Sequence, residues 1–237
     1  FVKMEERMRK GVFYGVGVGP GDPELMTLKA VRLLERCRVV AAPQTKNGEM
    51  LALRIAAGAV DLKGKTVVPL SFSMNRDPAV LEQTHQRAAR TVAEFLDRGE
   101  DVAMLNLGDV SIYATCSYLA ELLRGQGYET VMIAGVPSFC ASAARLGVSL
   151  TEMNQGLHIL PGSADTEAAL ALPGTKVLMK SGQQLPAILH SLESRGLLAE
   201  SMLVENCGLP GEAVYPDLSR ERPPEHTGYF ATLIVRR

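Results

Sequence analysis

The sequence has no tryptophan and little aromatic material, because aromatic residues make up only 5% of its 237 residues. Proteins that bind single-stranded nucleic acid use aromatic platforms for base stacking, so this class is disfavoured. An excess of charge of one sign is also missing: 25 lysines and arginines balance 26 aspartates and glutamates, for a formal net charge of -1. That balance argues against a nucleic-acid partner held mainly by phosphate contacts.

Cysteine and long apolar runs are scarce too. Cys37, Cys116, Cys140 and Cys207 form no C-x-x-C pair and have no histidine at metal-ligand spacing. We therefore expect no metal site and no disulfide framework, but reduced thiols in a cytoplasmic protein. The charged start FVKMEERMRKG lacks the apolar segment of a signal peptide, and no apolar run is long enough for a transmembrane helix. We expect no membrane partner.

The rest of the chain is rich in apolar residues, which are arranged in a regular pattern. Hydrophobic residues make up 46% of it, which is enough for a substantial core. Short apolar runs alternate with longer amphipathic stretches, a pattern that predicts an α/β fold with a largely parallel sheet. The alternation resumes after Gly125-Gln126-Gly127, so we predict two α/β domains, at 11–124 and 128–237.

Three glycine-bearing loops each follow a predicted strand and precede a predicted helix. They are GVGVGPGD at 15–22, GDVSIY at 108–113 and GVPSF at 135–139, called here the first, second and third glycine loops. Glycine lets a backbone approach a ligand closely, and the carboxyl ends of neighbouring parallel strands converge on one crevice. We therefore predict a ligand site at this sheet edge. The first loop lacks the G-x-G-x-x-G fingerprint, which disfavours a nicotinamide-dependent oxidoreductase.

Each loop also has a plainer interpretation. The first loop would serve as a tight turn alone, Ser111 and Ser138 as helix caps, and Asp109 as a turn residue. The histidines form no recognisable catalytic arrangement. His85 is interpreted as solvated, and His158 as a core histidine whose hydrogen bonds are satisfied.

Together and in this order, GVGPGDPELMTLKA, GDVSIY and AGVPSF resemble the tetrapyrrole (corrin/porphyrin) methylase family. The likeness continues through VLMKSG at 177–182, VENCGLPGE at 204–212 and the final YFATLIVRR, so it covers nearly the whole chain from Gly11. Within the family, the chain is most similar to the enzymes that methylate C-20 of precorrin-2 or cobalt-factor II in cobalamin biosynthesis. Many other members have Gly-Asp-Pro in the second loop, where this chain has Val110.

The resemblance implies two α/β domains with mainly parallel or mixed sheets, a short linker and a homodimer. It implies S-adenosylmethionine as the methyl donor, held in the cleft between the domains, S-adenosylhomocysteine as its product, and a tetrapyrrole as the acceptor. By position, the residues expected to contact the donor, mostly through backbone groups, are Pro20, Gly108, Asp109, Ser111, Ile112, Tyr113, Ser138, Phe139, Met179, Lys180, Ala231 and Leu233.

The implied chemistry assigns roles to a few side chains. The sulfonium is already activated, so the protein must align the methyl group with the attacking carbon and exclude water. That carbon must then lose a proton, and Asp109 is the candidate base, or else orients the substrate. Asp109→Ala is then expected to keep donor binding and lose most methyl transfer. Ordered water or a pyrrole nitrogen are alternative proton acceptors. Lys180, Arg76 and Arg145 are candidates for holding the acceptor's carboxylates.

Other interpretations stay open. Family members that methylate another ring position share the loops, and diphthine synthases and ribosomal-RNA 2′-O-methyltransferases share the first loop. The near-neutral charge disfavours an RNA acceptor. A non-catalytic protein that binds a tetrapyrrole or senses S-adenosylmethionine would keep the loops but form no S-adenosylhomocysteine. Metal-free precorrin-2 and cobalt-factor II both stay open as acceptors.

Overall fold

The computed structural model describes residues 9–73 and 77–236. Contacts divide the chain into two compact units, Phe1–Val136 and Pro137–Arg237. Each unit combines one five-stranded sheet with helices, which confirms the predicted α/β class. Arg76, a candidate for binding acceptor carboxylates, lies outside the described residues.

The first unit is built on an all-parallel sheet in the order β3-β2-β4-β1-β5. Its strands are β1 (Val12–Gly17), β2 (Val39–Gln44), β3 (Thr66–Ser71), β4 (Val102–Asn106) and β5 (Glu129–Ile133). Its helices are α1 (Leu28–Arg36), α2 (Leu51–Ala57), α3 (Pro78–Asp97) and α4 (Thr115–Gly125). Parallel neighbours need crossover connections, and the amphipathic segments between the strands supply them as helices.

Local sequence explains where these elements begin and what they bury. The longest helix, α3, starts directly after Asp77, because Asp77 accepts a hydrogen bond from the Ala79 backbone and Pro78 occupies the first turn. Every residue of β4 is buried, as is typical of a central strand covered on both faces. One face of the sheet packs on α3 and α4 through residues such as Val92 and Leu119.

The boundary between the units differs from the predicted one at 124–128. Strand β5 pairs with β1 in the parallel sheet, so it belongs to the first unit and the division falls after Val136. Gly125-Gln126-Gly127 only ends α4 and turns the chain into β5. A Gly-rich turn marks a change of direction, and it does so between domains and within one domain alike.

The second unit has a mixed sheet in the order β6-β7-β10-β8-β9. Its strands are β6 (Leu157–Pro161), β7 (Thr175–Met179), β8 (Ser201–Glu205), β9 (Ala213–Tyr215) and β10 (Ala231–Val235), and its helices are α5 (Ser138–Leu146), α6 (Thr166–Ala171) and α7 (Leu185–Ser194). Strands β6 and β7 are parallel, whereas β10 runs antiparallel to both β7 and β8. The alternation does not predict β9, which is three residues long and lies in a proline-rich segment.

Three further features concern the cysteines, possible metal ligands and helices that could cross a membrane. All four cysteines are free thiols, and Cys140 is the exposed one among them. Within 9–73 and 77–236, no group of three or more His, Cys, Asp or Glu side chains is placed to hold a metal ion. In the same ranges, no helix combines the length and the apolar character that a membrane crossing requires.

Candidate functional site

The first and second glycine loops are joined directly by their backbones. Strand β1 lies between β4 and β5, so the carboxyl ends of these three strands are neighbours at one sheet edge. There Gly19 and Gly108 form an antiparallel bridge: Gly108 N donates to Gly19 O at 2.8 Å and Gly19 N donates to Gly108 O at 3.2 Å. Pro20, which follows this bridge, is buried. The predicted convergence of these loops is therefore present in the structure.

Gly135, at the start of the third loop, packs against both of the others. A Cβ atom on Gly135 would lie 2.3 Å from the Gly108 carbonyl oxygen, and one on Gly17 would lie 2.7 Å from the Gly135 Cα atom. Such distances are far below van der Waals contact, so the arrangement requires glycine at both positions. These three glycines form what we call the glycine cradle (Gly17, Gly108 and Gly135), in which three backbones lie in direct contact.

The Asp109 carboxylate accepts hydrogen bonds at both of its oxygens. Oδ1 accepts from the Ser111 backbone N at 2.8 Å and also from the Ser111 hydroxyl. Oδ2 accepts from Gly135 N at 2.8 Å. The Asp109 carbonyl in turn accepts from Asn106 Nδ2 at 3.0 Å, which anchors the second loop to the end of β4. The carboxylate therefore connects the second loop to Gly135.

These contacts change the acidity of Asp109. Partial burial raises the pKa of its carboxyl, but the hydrogen bonds from the Ser111 hydroxyl and from the backbone of Gly135, Ser111 and Val110 outweigh burial and hold it below the ordinary value. A hydrogen-bond donor that contacts the charged form of a carboxyl group stabilises that form and so lowers the pKa. The structure thus gives Asp109 the environment of a stabilised carboxylate, whereas a general base at neutral pH benefits from a raised pKa.

The two serines predicted as possible helix caps do not cap helices. Helix α4 has Ala114 at its N-cap and α5 has Pro137, and neither helix has a side-chain capping bond. Ser111 instead binds Asp109, and Ser138 is the first residue of α5, where its hydroxyl faces Thr232. The hydroxyl groups of both serines therefore contact other side chains and do not cap a helix.

Two of the predicted donor contacts have left-handed backbone conformations. Tyr113, which ends the second loop, has φ 48°, and Lys180, which follows β7, has φ 56°. Non-glycine residues pay a steric cost in this region and cluster at functional sites when the fold enforces it. The half-buried Ile112 precedes Tyr113, whose ring is 43% exposed.

The predicted residues of the second unit meet at one edge of its own sheet. Thr232 pairs with Met179 across β10 and β7, and its hydroxyl lies 3.2 Å from the Ser138 hydroxyl. Ala231 and Leu233, on either side of Thr232, are buried. Phe139, next to Ser138, is buried as well. The structure therefore groups Ser138, Met179 and the start of β10.

Lys180 stands beside this group. Its Nζ atom lies 5.9 Å from the centre of the Tyr229 ring, within the range of a cation–π contact. Burial lowers the pKa of the Lys180 ammonium, because desolvation disfavours its charged form. A partly desolvated ammonium of this kind binds an anionic group more strongly than a fully solvated one does.

Three further residues lie at this edge and are not among the predicted site residues. Thr232 and Tyr229 carry the contacts just described, and Gly162, after β6, donates its backbone N–H to the Met179 carbonyl at 2.6 Å. A Cβ atom on Gly162 would lie 2.4 Å from the Ser181 Cα atom. The Pro161-Gly162 pair at a strand end is the same signal that marks the other loops, so Gly162 could have been found from the sequence.

One basic side chain and two histidines that the sequence analysis considers have partners of their own in the structure. Arg145 is exposed on α5, and its Nε atom lies 2.5 Å from Glu212 Oε1. His85 is half-buried instead of solvated, since its ring stacks on Tyr118 with centroids 5.0 Å apart. His158 is half-buried, and its Nε2 atom lies 2.9 Å from the Pro173 carbonyl oxygen.

In proteins with an open parallel α/β sheet, ligands bind at the carboxyl edge of the sheet, where the glycine cradle of this chain lies. The chain matches the model of the Tetrapyrrole (Corrin/Porphyrin) Methylases over residues 12–221. It therefore belongs to the tetrapyrrole methylase family.

Curated relatives differ in the reaction that they are named for. The probable cobalt-precorrin-2 C(20)-methyltransferase of Methanocaldococcus jannaschii is 36% identical over 169 residues, 71% of each chain. The precorrin-4 C(11)-methyltransferase of Mycobacterium tuberculosis is 33% identical over 183 residues, 75% of this chain and 61% of the relative. The cobalamin biosynthesis protein CobIJ of the same organism is 31% identical over 217 residues, 87% of this chain. The chain spans 42% of the length of CobIJ.

A solved structure has the same fold. Uroporphyrin-III C-methyltransferase of Thermus thermophilus superposes with a TM-score of 0.67 at 28% identity, covering 95% of this chain and 92% of that one. A second structure of the Thermus thermophilus enzyme, complexed with S-adenosyl homocysteine, gives a TM-score of 0.67 at 23% identity, over 96% of this chain and 98% of that one.

Proposed function

We propose that the protein is an S-adenosylmethionine-dependent C-methyltransferase that methylates C-20 of precorrin-2 or cobalt-factor II in cobalamin biosynthesis. The observation that carries the proposal is the glycine cradle, to which Asp109 is tied. It stands where the family-like motifs predict donor binding, and its three backbones pack so closely that no side chain fits between them.

The residues present fit such a donor. The cradle of the first unit is free of side chains, and the predicted residues of the second unit supply hydroxyl and apolar groups. The Ser181 hydroxyl is completely buried and has no hydrogen-bond partner within the described part of the chain. A buried polar atom without a partner is costly, so a polar ligand or a water molecule is expected to bind it.

The protein's part in the reaction is positioning. S-adenosylmethionine supplies an already activated methyl group, so the chain needs no strong acid for the transfer. The rigid loops fix the donor in a near-attack geometry, and the apolar residues around Met179 and Leu233 keep water away from it. The acceptor carries many carboxylates, and the partly desolvated Lys180 ammonium is proposed to bind one of them.

The relatives support this reaction and one alternative. The C(20)-methyltransferase relative favours precorrin-2 or its cobalt form as the acceptor. The 33% identical C(11)-methyltransferase makes precorrin-4 a second candidate. Because these acceptors differ in the ring carbon that reacts, the position of the new methyl group distinguishes them.

An anaerobic turnover assay with isotope-labelled S-adenosylmethionine tests the proposal. Precorrin-2, cobalt-factor II and precorrin-4 are offered in parallel, and product mass and methyl position are measured. We expect one methyl group at C-20, with a preference between the first two acceptors. Methylation of precorrin-4 alone at C-11 would contradict the C-20 assignment. Donor binding without methylation of any acceptor would favour a sensor or a different acceptor.

The homodimer that the resemblance implies and the cytoplasmic location that the scarce, dispersed cysteines indicate are also proposals. Sedimentation velocity of the purified chain tests the dimer, which is expected at twice the mass of 25.5 kDa. A monomer at micromolar concentration would contradict it.

A further inference from the structure

We infer that Asp109 is a positioning residue whose carboxylate ties the second glycine loop to Gly135 and so holds the donor-binding loops in shape. The inference rests on the proposed function, because it gives Asp109 a part in donor binding. It replaces the role of proton acceptor that the sequence alone suggests for this residue.

The geometry assigns each carboxylate oxygen to a different loop. Oδ1 accepts two hydrogen bonds from Ser111, two residues further along the same loop, and Oδ2 accepts one from Gly135 N, which is 26 residues away in sequence. A proton acceptor must present a lone pair to the substrate at hydrogen-bond distance. Here three donors of the chain itself surround the carboxylate, and all three favour its charged form.

Gly135 is the point at which this tie affects the cradle. Its backbone is packed against Gly108 O and the Gly17 Cα atom so closely that no side chain fits. A shift of Gly135 would therefore move the surfaces of the first and second loops together. Losing the hydrogen bond at Gly135 N is expected to loosen the cradle and to weaken donor binding before any chemistry occurs.

The same chain contains a natural control for this role. Asp217 repeats the local motif: its Oδ1 accepts from Ser219 N at 2.9 Å and from the Ser219 hydroxyl at 2.6 Å. Its Oδ2, however, lies 3.2 Å from Arg220 Nε in the same turn, whereas Oδ2 of Asp109 binds a separate loop. Asp217 lies in the connection between β9 and β10 and is not among the predicted site residues. The two aspartates differ in what the second oxygen binds.

The experiment compares Asp109→Asn, Asp109→Ala and Asp217→Asn by calorimetric titration with S-adenosylhomocysteine. The asparagine has only one carbonyl oxygen, so at position 109 its amide group must face either Ser111 N–H or Gly135 N–H. We expect Asp109→Ala to weaken binding by about tenfold to a hundredfold, as for the loss of hydrogen bonds to a charged group. Asp109→Asn should lie in between, and Asp217→Asn should bind as the unaltered protein does.

Hydrogen exchange gives a readout that does not depend on the ligand. The Gly135 amide, or the shortest peptide containing it, should exchange faster in Asp109→Asn than in the unaltered protein and in Asp217→Asn. This measurement also covers the case in which Asp109→Ala fails to fold. Unchanged exchange at the Gly135 amide in Asp109→Ala, or at both the Gly135 and the Ser111 amides in Asp109→Asn, would overturn the inference.

A base role predicts the opposite pattern. Both Asp109 variants would then bind S-adenosylhomocysteine with unaltered affinity and lose only turnover, and that result would overturn the inference while leaving the proposed function intact. If the unaltered protein binds S-adenosylhomocysteine but methylates no acceptor, the proposed reaction fails while weakened binding in the Asp109 variants still supports the tie. If the unaltered protein does not bind it at all, both the proposed donor and the donor-binding role of Asp109 are overturned.

Discussion

The two units form their predicted site edges in different ways. In the first unit, close backbone contacts predominate: Gly19 bonds to Gly108, and Gly135 packs on Gly108 and Gly17. In the second unit, the backbone packs closely at Gly162, and the other contacts described at the edge are between side chains: the Ser138–Thr232 hydroxyl pair and the Lys180–Tyr229 contact.

This difference predicts how each edge responds to substitution. A backbone contact below van der Waals distance allows no added atom, so even one methyl group must displace a loop. A side-chain hydrogen bond can be lost while the backbone around it stays in place, and its net contribution is modest. Substitutions in the first unit are therefore expected to affect both stability and donor binding, whereas those in the second unit should affect one property at a time.

The largest effect is expected for Gly135→Ala. The new Cβ atom would lie 2.3 Å from the Gly108 carbonyl oxygen, so the loops must separate. We expect the free energy of unfolding in urea to fall by about 1–3 kcal/mol, as in other overpacked sites, and S-adenosylhomocysteine binding to be lost. Gly125→Ala is the matched control, because a Cβ atom there would contact nothing within 4 Å. Unaltered binding by Gly135→Ala would show that the cradle does not contact the donor.

Lys180→Met should have the next largest effect, and it should weaken only the binding of the acceptor. Methionine keeps much of the apolar stem and removes the charge, so the KM for the tetrapyrrole should rise by about tenfold, the effect of losing one charge-assisted hydrogen bond. The affinity for S-adenosylhomocysteine should change little, since the expected donor contact of Lys180 is through its backbone. Steady-state kinetics and calorimetry measure the two quantities.

Arg145→Met is the control for the lysine variant. Arg145 is an equal candidate in the sequence, but in the structure it is exposed and its guanidinium contacts Glu212. Its replacement should leave the KM for the acceptor unchanged. A rise in KM for Arg145→Met, with none for Lys180→Met, would show that Arg145 and not Lys180 binds a carboxylate of the acceptor.

The contrast between the two edges also explains what the sequence predicts well. In the first unit, glycines and strand ends are adjacent in the sequence, so the motifs indicate the elements and their shared edge directly. The sequence does not indicate that Asp109 reaches Gly135 or that Thr232 faces Ser138, because both contacts join distant segments through the pairing of strands. Likewise, the end of the first unit depends on which sheet β5 joins, and a Gly-rich turn carries no information on that.

A smaller, pH-dependent effect is expected from the Asp109 tie. The pKa of its carboxyl is lower in the folded chain than its ordinary value, so the ionised form stabilises the fold at neutral pH. That contribution is fully present above the unfolded pKa of about 3.9 and disappears as the pH falls through the lower folded value. The difference in unfolding free energy between the unaltered protein and Asp109→Asn should therefore shrink on acidification below that range. A difference that grows on acidification would contradict the tie.

The smallest effect is expected for Thr232→Val in the second unit. Valine keeps the β-branched shape that suits strand β10 and removes only the hydroxyl that lies 3.2 Å from Ser138 Oγ. Loss of this bond should lower the unfolding free energy by about 1 kcal/mol or less, with only a small change in S-adenosylhomocysteine affinity. Ser138→Ala should cost a similar amount, and the double variant should cost less than the sum of the two, because both remove the same contact. Strict additivity would show that the two hydroxyls do not interact.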